Sequence, residues 1–307
     1  MTTDYKAGIF ALAALMYCVG VSGARADSFA VTHLPGQSSW APPSQQAPIH
    51  ENYLDTGDAK LWYWDTGGDG EAVILLHPMT GSAAIWGYQQ PALAAAGYRV
   101  IAYSRRGHFR SEAGQPEPSR SQVDDLHALV DHLGLSRFHL VGSAGGGFIV
   151  PDYAAAHPDR LLSITIACST AGIADREFRD WYEVVRPESI AALPHWVKEL
   201  GPSYRAAYPE GVAAWRELEE HAMHTMTRMP PSRHLGWDVY GAIDLPVLLL
   251  GGDADIFMPP PMLRELARHM RDPSVVIIRE AGHSAYWEQP AAFNRALLDF
   301  LQQHPAR

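Results

Sequence analysis

Along most of this chain, runs of consecutive apolar residues alternate with segments whose apolar positions recur every three or four residues. Unbroken apolar runs read as strands buried on both faces of a parallel sheet, and the longer spacing reads as helices covering those faces. The pattern predicts strands over 72–76, 99–103, 138–141, 161–167, 246–250 and 274–279. It predicts helices over 84–96, 121–133, 146–156, 260–270 and 290–303. Repeated βα units of this kind imply an α/β fold with a doubly wound, mostly parallel sheet and right-handed crossovers. Ahead of them, residues 52–54 and 61–64 alternate around Asp55-Thr56-Gly57-Asp58, which predicts an antiparallel hairpin at a sheet edge.

One long stretch breaks the rhythm. Residues 170–243 are rich in Trp, Tyr, His and Met, and helix-like pieces such as 212–227 are separated by Pro187, Pro194, Pro202, Pro209 and Pro230. A helical cap inserted over the sheet edge accounts for both features, leaving 49–169 and 244–307 as the core. The cap residues Trp181, Trp196, Trp215 and Trp237 read first as its own core, although apolar ligands are also enclosed by such side chains. Residues 27–48, rich in Pro, Ser and Gln and without periodicity, read as an extended arm over the surface.

The chain opens with Lys6, an apolar run over 7–21 and the small-x-small pattern Ala24-Arg25-Ala26. This is the layout of a secretory signal covering 1–26, so the expected location is secreted or periplasmic. The run is short for a spanning helix and is interrupted by Gly8 and Gly20, which argues against stable membrane insertion. With Cys18 removed alongside the signal, Cys168 stands alone, and packing rather than a disulfide must hold the fold. A formal charge of −10, with no basic cluster denser than Arg105-Arg106, disfavours nucleic acid as a partner. His221-x-x-His224 has helical spacing for two metal ligands but no third ligand fixed by spacing, so no metal and no cofactor are expected.

The chemistry centres on Phe138-His139-Leu140-Val141-Gly142-Ser143-Ala144-Gly145-Gly146-Gly147-Phe148. A buried strand runs into a tight turn and a helix, with glycines two before and two after Ala144, where strand and helix must cross closely. A register centred on Ser143 makes that residue the alternative nucleophile. It would place Val141 at the crossing, which the glycine spacing disfavours. After the fifth of the long strands comes Gly251-Gly252-Asp253-Ala254-Asp255, and after the sixth comes Glu280-Ala281-Gly282-His283-Ser284. The order is turn residue, acid, histidine, each at the C-terminal end of a strand.

From about residue 50 onward, these three motifs resemble the α/β-hydrolase fold family. The resemblance implies that Ala144 occupies the nucleophile position, where the family carries serine. It implies that Asp255, rather than Asp253, orients His283, and that the backbone N–H groups of Met79 and Gly145 form an oxyanion hole. Two departures accompany Ala144: His77-Pro78 stands where the family usually has His-Gly, and Ser104 replaces an aspartate in Tyr103-Ser104-Arg105-Arg106-Gly107-His108.

Three functions stay open on these residues. One is a hydrolase of a small, apolar or aromatic ester, lactone or diketone-like substrate, using His283-activated water. The second is a non-hydrolytic, histidine-dependent oxygenase, lyase or isomerase. The third is a ligand-binding protein that has lost catalysis. The signal reading gives its own test: secreted material is expected to begin at Asp27 by N-terminal sequencing or intact mass, and recovery of the full chain in membranes would contradict it.

Overall fold

The computed structural model describes residues 29–115, 120–225, 227 and 229–306. The expected signal over 1–26 lies outside these residues. Among them, one sheet contains the strands β1 (Val31–Leu34), β2 (His50–Asp55), β3 (Lys60–Asp65), β4 (Ala72–Leu76), β5 (Arg99–Tyr103), β6 (Phe138–Ser143), β7 (Leu161–Ala167), β8 (Val247–Gly252) and β9 (Ser274–Ile278). The spatial order is β1-β9-β8-β7-β6-β4-β5-β3-β2, with antiparallel pairing only at β2–β3 and β3–β5.

Along β4, Ile74 and Leu76 belong to one buried cluster and Val73 and Leu75 to another. Successive side chains point to opposite faces, so both faces of the sheet are covered, as the unbroken apolar runs require. The chain passes from β4 to β5 on one side and then to β6 on the other. Such a reversal opens a crevice at the C-terminal ends of the strands.

The helices in chain order are α1 (Gln89–Ala95), α2 (Gln122–His132), α3 (Ile149–Ala156), α4 (Arg176–Val185), α5 (Glu188–Ala191), α6 (His195–Glu199), α7 (Pro202–Ala207), α8 (Pro209–Ala222), α9 (Trp237–Ala242), α10 (Pro260–Arg268), α11 (Ala285–Glu288) and α12 (Pro290–Gln303). Several depart from the sequence expectation for visible reasons. The helix expected over 84–96 is a 3₁₀ turn, Ala83–Trp86, followed by α1, with Gly87 between them. Likewise the helix after the Ala144 turn begins as 3₁₀ over Gly146–Phe148. The helix expected over 212–227 instead starts at Pro209, whose missing N–H and fixed φ suit a first turn, and it stops at Ala222 before extended Met223.

Two larger differences concern the flanks of the core. Residues 27–48 are not simply an arm, because β1 pairs in parallel with β9 from Val31↔Val275 to Leu34↔Ile278. Four residues are too few to show a period, and the pairing groups come from the exposed sheet edge. Beyond β1 the segment is tied down by Trp40 Nε1–H donating to Glu288 O at 2.7 Å and Gln37 N–H to Gln289 Oε1 at 2.7 Å. At the other flank, α9 returns from the cap to pack on α3, burying Tyr240 in the main core with Trp237 against it. Trp215 of α8 is fully buried, whereas Trp181 remains 40% exposed, so the cap tryptophans do not share one role.

The Arg106 guanidinium joins the hairpin turn to α2, bonding Asp125 at 2.7 Å and Asp58 at 2.6 Å. Ser104, at the departure from the family segment, accepts from Ala83 N–H at 3.2 Å and receives the Ser111 hydroxyl on its carbonyl at 2.6 Å.

The crossing of β6 and the following helix is a tight constraint on the backbone at the C-terminal ends of the strands. A Cβ at Gly142 would lie 2.5 Å from Gly146 O, and one at Gly146 would lie 2.2 Å from Leu76 O. Both obstacles are buried backbone, one in the 3₁₀ turn and one at the end of β4, so neither can yield locally. Gly146→Ala is therefore expected to destabilise the fold by about 3 kcal/mol, the upper end of overpacking costs, and thermal unfolding should show a Tm several degrees lower. An unchanged Tm would mean that the crossing has slack.

Candidate active site

Ala144 sits at the apex of the turn with φ +48°, in the left-handed region where a non-glycine residue is strained. Ser143 is fully buried in β6, and its hydroxyl has no hydrogen-bond partner among the described residues. The apex residue is thus Ala144, as the glycine spacing expected, and Ser143 lies beneath it.

Two peptide groups aim their N–H donors at the space above the apex. The Ala144 carbonyl is pinned by the Ser169 hydroxyl at 2.6 Å and by Gly147 N–H at 3.0 Å. The Pro78 carbonyl is pinned by His77 Nδ1–H at 2.7 Å and Gly81 N–H at 3.1 Å. In a trans peptide, C=O and N–H point in opposite directions, so pinning these carbonyls turns the next N–H groups, Gly145 and Met79, the other way. A Cβ built at Gly145 would lie 3.1 Å from Met79 N, so the two donors are close together. Neither donates to any described residue. The proline at position 78 removes nothing, because its own N–H is not one of the pair.

His77 is fixed from behind. Arg105 N–H donates to its Nε2 at 3.0 Å, which leaves the proton on Nδ1 for the Pro78 carbonyl. Burial, with the Arg105 charge beside it, holds the His77 pKa well below the usual value, so the ring is neutral. The Arg105 guanidinium is itself buried, donating to His77 O at 3.0 Å and Gln122 Oε1 at 3.0 Å, with no carboxylate partner among the described residues. Burial lowers its pKa only to about 10, so it stays charged at neutral pH. Its Nη2 would lie 3.5 Å from a Cβ at Gly145, which sets a positive charge behind the two N–H donors.

On the opposite wall, His283 Nδ1–H donates to Asp255, 2.9 Å from each carboxylate oxygen. Asp255 Oδ1 also accepts from Phe257 N–H at 2.7 Å and Met258 N–H at 3.0 Å, and the residue is buried. Asp253 instead ties its loop to the one after β9, accepting from Glu280 N–H at 2.7 Å. Burial by itself would lower the His283 pKa, but the charges of Asp255 and then Glu199 outweigh it, and the net shift is upward. The Phe257 ring packs on the imidazole, 4.3 Å between centroids.

Between these walls lies a cleft of about 160 Å³ lined by Met79, Ala144, Gly145 and His283, the apolar Phe148 and Phe257, the hydroxyl residues Ser169, Thr170 and Tyr182, and Glu199. The structure therefore brings together Ala144, Gly145, Met79 and His283, with Asp255 behind the histidine and Ser143 outside. A larger groove of about 420 Å³ lies at the far end of α3, lined by Ala154, Pro158 and α9, and contains no comparable base. Cys168, next to the cleft-lining Ser169, is fully buried, and burial raises its thiol pKa well above the usual value, so it is no ready nucleophile.

Two acids went unrecognised in the sequence. Glu199 ends α6 of the cap and is 7% exposed, with burial pushing its pKa upward. No motif or spacing in the surrounding sequence marked it. Glu288 stands among the residues following His283. It accepts from Gly201 N–H at 2.6 Å, Gly282 N–H at 3.0 Å and Ser284 N–H at 3.2 Å, which staples the histidine loop to the cap. Burial raises its pKa to about 8 against the pull of those three donors.

The His221 and His224 pair does not converge. His221 Nδ1 meets Glu217 O within α8, while His224, past the helix end, meets Ser111 O. No group of three or more potential metal ligands occurs among the described residues. Nor is any helix among them long and apolar enough to cross a membrane.

The sequence model of the Alpha/beta hydrolase family matches residues 73–296. A provisionally named carbamate hydrolase, RutD, of Variovorax paradoxus is 30% identical over 253 residues, covering 76% of this chain and 92% of the relative. The 2-hydroxy-6-oxononadienedioate/2-hydroxy-6-oxononatrienedioate hydrolase of Paraburkholderia xenovorans is 26% identical, covering 80% and 91%. Among solved structures, a thermophilic esterase from Thermogutta terrifontis superposes with a TM-score of 0.67 at 23% identity, covering 84% of this chain and all of that one, which shows the shared fold. The matched span includes the elbow, the acid and the histidine together, and this chain is an enzyme of the alpha/beta hydrolase family.

Proposed function

We propose that this protein hydrolyses a small ester, lactone or diketone-like substrate of apolar or aromatic character, with His283 activating water in place of an acyl-enzyme at residue 144. The observation that carries the reading is the intact pairing of His283 with Asp255 at 2.9 Å, opposite two aimed N–H donors, around a methyl group. A protein that only bound ligands would have no use for an oriented base. The size of the cleft and its walls, Phe148, Phe257 and Met79, fit a small apolar substrate. Hydrolase names among the relatives favour hydrolysis over other histidine-dependent chemistry. Action after export, with residues 1–26 removed, belongs to the same proposal.

In this mechanism the substrate carbonyl oxygen sits at Met79 N–H and Gly145 N–H. His283 Nε2 takes a proton from water as the water oxygen bonds to the carbonyl carbon. Negative charge moves onto the carbonyl oxygen, where the two donors and the Arg105 charge behind them stabilise it. Asp255 supports the imidazolium, which then protonates the leaving group as the tetrahedral intermediate collapses. A serine hydrolase stripped of its triad retains about 10³ to 10⁴ of acceleration over water from such remnants, so the donors alone are worth keeping.

Ala144→Ser is expected to place a hydroxyl within reach of His283. The variant should be labelled by a fluorophosphonate and should hydrolyse p-nitrophenyl acetate through an acyl-enzyme. The native protein should not be labelled, and labelling of it would return the nucleophile to Ser143 or another hydroxyl. His283→Ala should lower native activity by about 10² or more, the usual worth of a positioned base.

The pH profile follows from the sign of the His283 shift. The neutral imidazole is the active form and its pKa is raised, so activity is lost as pH falls through a value above the ordinary 6.5. Asp255→Asn removes the largest upward influence, so the acid limb should move to lower pH while the plateau also drops. A limb that stayed in place, or moved up, would show that Asp255 does not act on the group being titrated.

A further inference from the structure

We propose that Glu199 is the second acceptor for the reacting water. Its carboxylate, carried into the site by cap helix α6, holds the water proton that His283 does not take. This directs the water's lone pair at the carbonyl carbon seated at Met79 and Gly145. The proposal rests on the reading of the site as a water-using hydrolase, and it gives the cap a chemical part in the reaction.

Three observations point to it. Among the described residues lining the cleft, Glu199 is the only one with a carboxylate. It spans the two catalytic loops: Ser284, next to His283, donates its N–H to Glu199 O at 3.0 Å and its hydroxyl to Oε2 at 3.4 Å. The hydroxyl of Thr80, next to Met79, faces it from the other side. Lastly, it is underused. Glu288, fully buried, accepts from three backbone N–H groups, whereas among the described residues Glu199 is met by two side-chain hydroxyls alone, Thr80 and the long Ser284 contact. A carboxylate enclosed to this extent ordinarily has enough donors to offset its desolvation. Here acceptor capacity is left facing the cleft, and water is the donor that the missing serine hydroxyl makes room for.

The step balances without a co-reactant. One water proton passes to His283 Nε2 and the other stays on the water oxygen, hydrogen-bonded to Glu199, while that oxygen bonds to carbon. The carbonyl π electrons move to the oxygen held by the two N–H groups. On collapse the leaving group departs with the proton from His283, and the proton beside Glu199 remains with the acid product.

The test separates a step that uses water from one that does not. In Ala144→Ser, attack by the introduced hydroxyl needs no water, whereas release of the acyl group does. Adding Glu199→Gln should leave the fluorophosphonate labelling rate within about threefold while p-nitrophenyl acetate turnover falls by about 10²-fold, with a burst of p-nitrophenol preceding slow release. In the Ala144 chain, Glu199→Gln should lower p-nitrophenyl acetate hydrolysis by about the same factor. Equal loss of labelling and turnover would reduce Glu199 to a packing role. Unchanged turnover would make it a bystander. If Ala144→Ser were itself neither labelled nor active, the reading of the site would fail, and this proposal with it.

Discussion

The candidate site depends on one backbone constraint, the near contact of β6 with the helix that follows it. Gly142 and Gly146 allow that contact, and it forces the intervening residue to turn with φ +48°. A left-handed alanine costs about 1 to 2 kcal/mol. The conformation is held by its surroundings, since Ala144 N–H donates to Ala167 O at 2.9 Å and the Ala144 carbonyl is fixed by Ser169 and Gly147. The strain is therefore a property of the fold rather than of the side chain at the apex. Replacing a hydroxyl by hydrogen there removes a nucleophile without relaxing the turn, and the Gly145 N–H remains aimed.

Around this turn, charge is divided between two walls. Asp255, Glu199 and Glu288 surround the His283 loop, and the buried Arg105 stands behind Gly145 on the other side. Each charge is held by a different device. Asp255 has two backbone N–H donors besides the imidazole, whereas among the described residues Arg105 has only neutral acceptors. A buried guanidinium with no carboxylate partner among the described residues favours negative charge developing nearby. The wall with Asp255 and Glu199 favours positive charge, which is what His283 would acquire in the proposed reaction. The electrostatic field thus matches the charge separation of carbonyl addition.

The sheet and the order of its catalytic loops were legible in the sequence because both rest on local rules. Unbroken apolar runs specify doubly covered strands, and glycine spacing specifies the register of the turn, which places Ala144 rather than Ser143 at the apex. What escaped depended on partners distant in the chain. The strand at Val31–Leu34 is too short for a period and exists because β9 offers an open edge. Glu199 belonged to no motif, and only the packing of α6 over the histidine loop, 84 residues away from Glu199 at His283, brings it into the cleft. Arg105 carried no signal either, since an arginine beside Arg106 reads as part of a basic pair. Arg106 pairs with Asp58 and Asp125, and among the described residues Arg105 has no carboxylate partner.

A methyl group at the apex also limits what can stand in for the serine. An apolar cavity of one missing atom would stay dry, but a site with two to four polar partners can hold water. His283 Nε2, the Glu199 carboxylate and the two N–H donors around Ala144 supply such partners, and the cleft of about 160 Å³ has room for a small substrate beside the water. The same donors would compete for the water oxygen if no carbonyl were bound. Substrate binding would then displace the water from the donors toward His283 and Glu199. On the proposed mechanism the order of events would follow: the carbonyl would occupy the Met79 and Gly145 donors before the water is oriented for attack, so the base would meet its proton only with an electrophile in place.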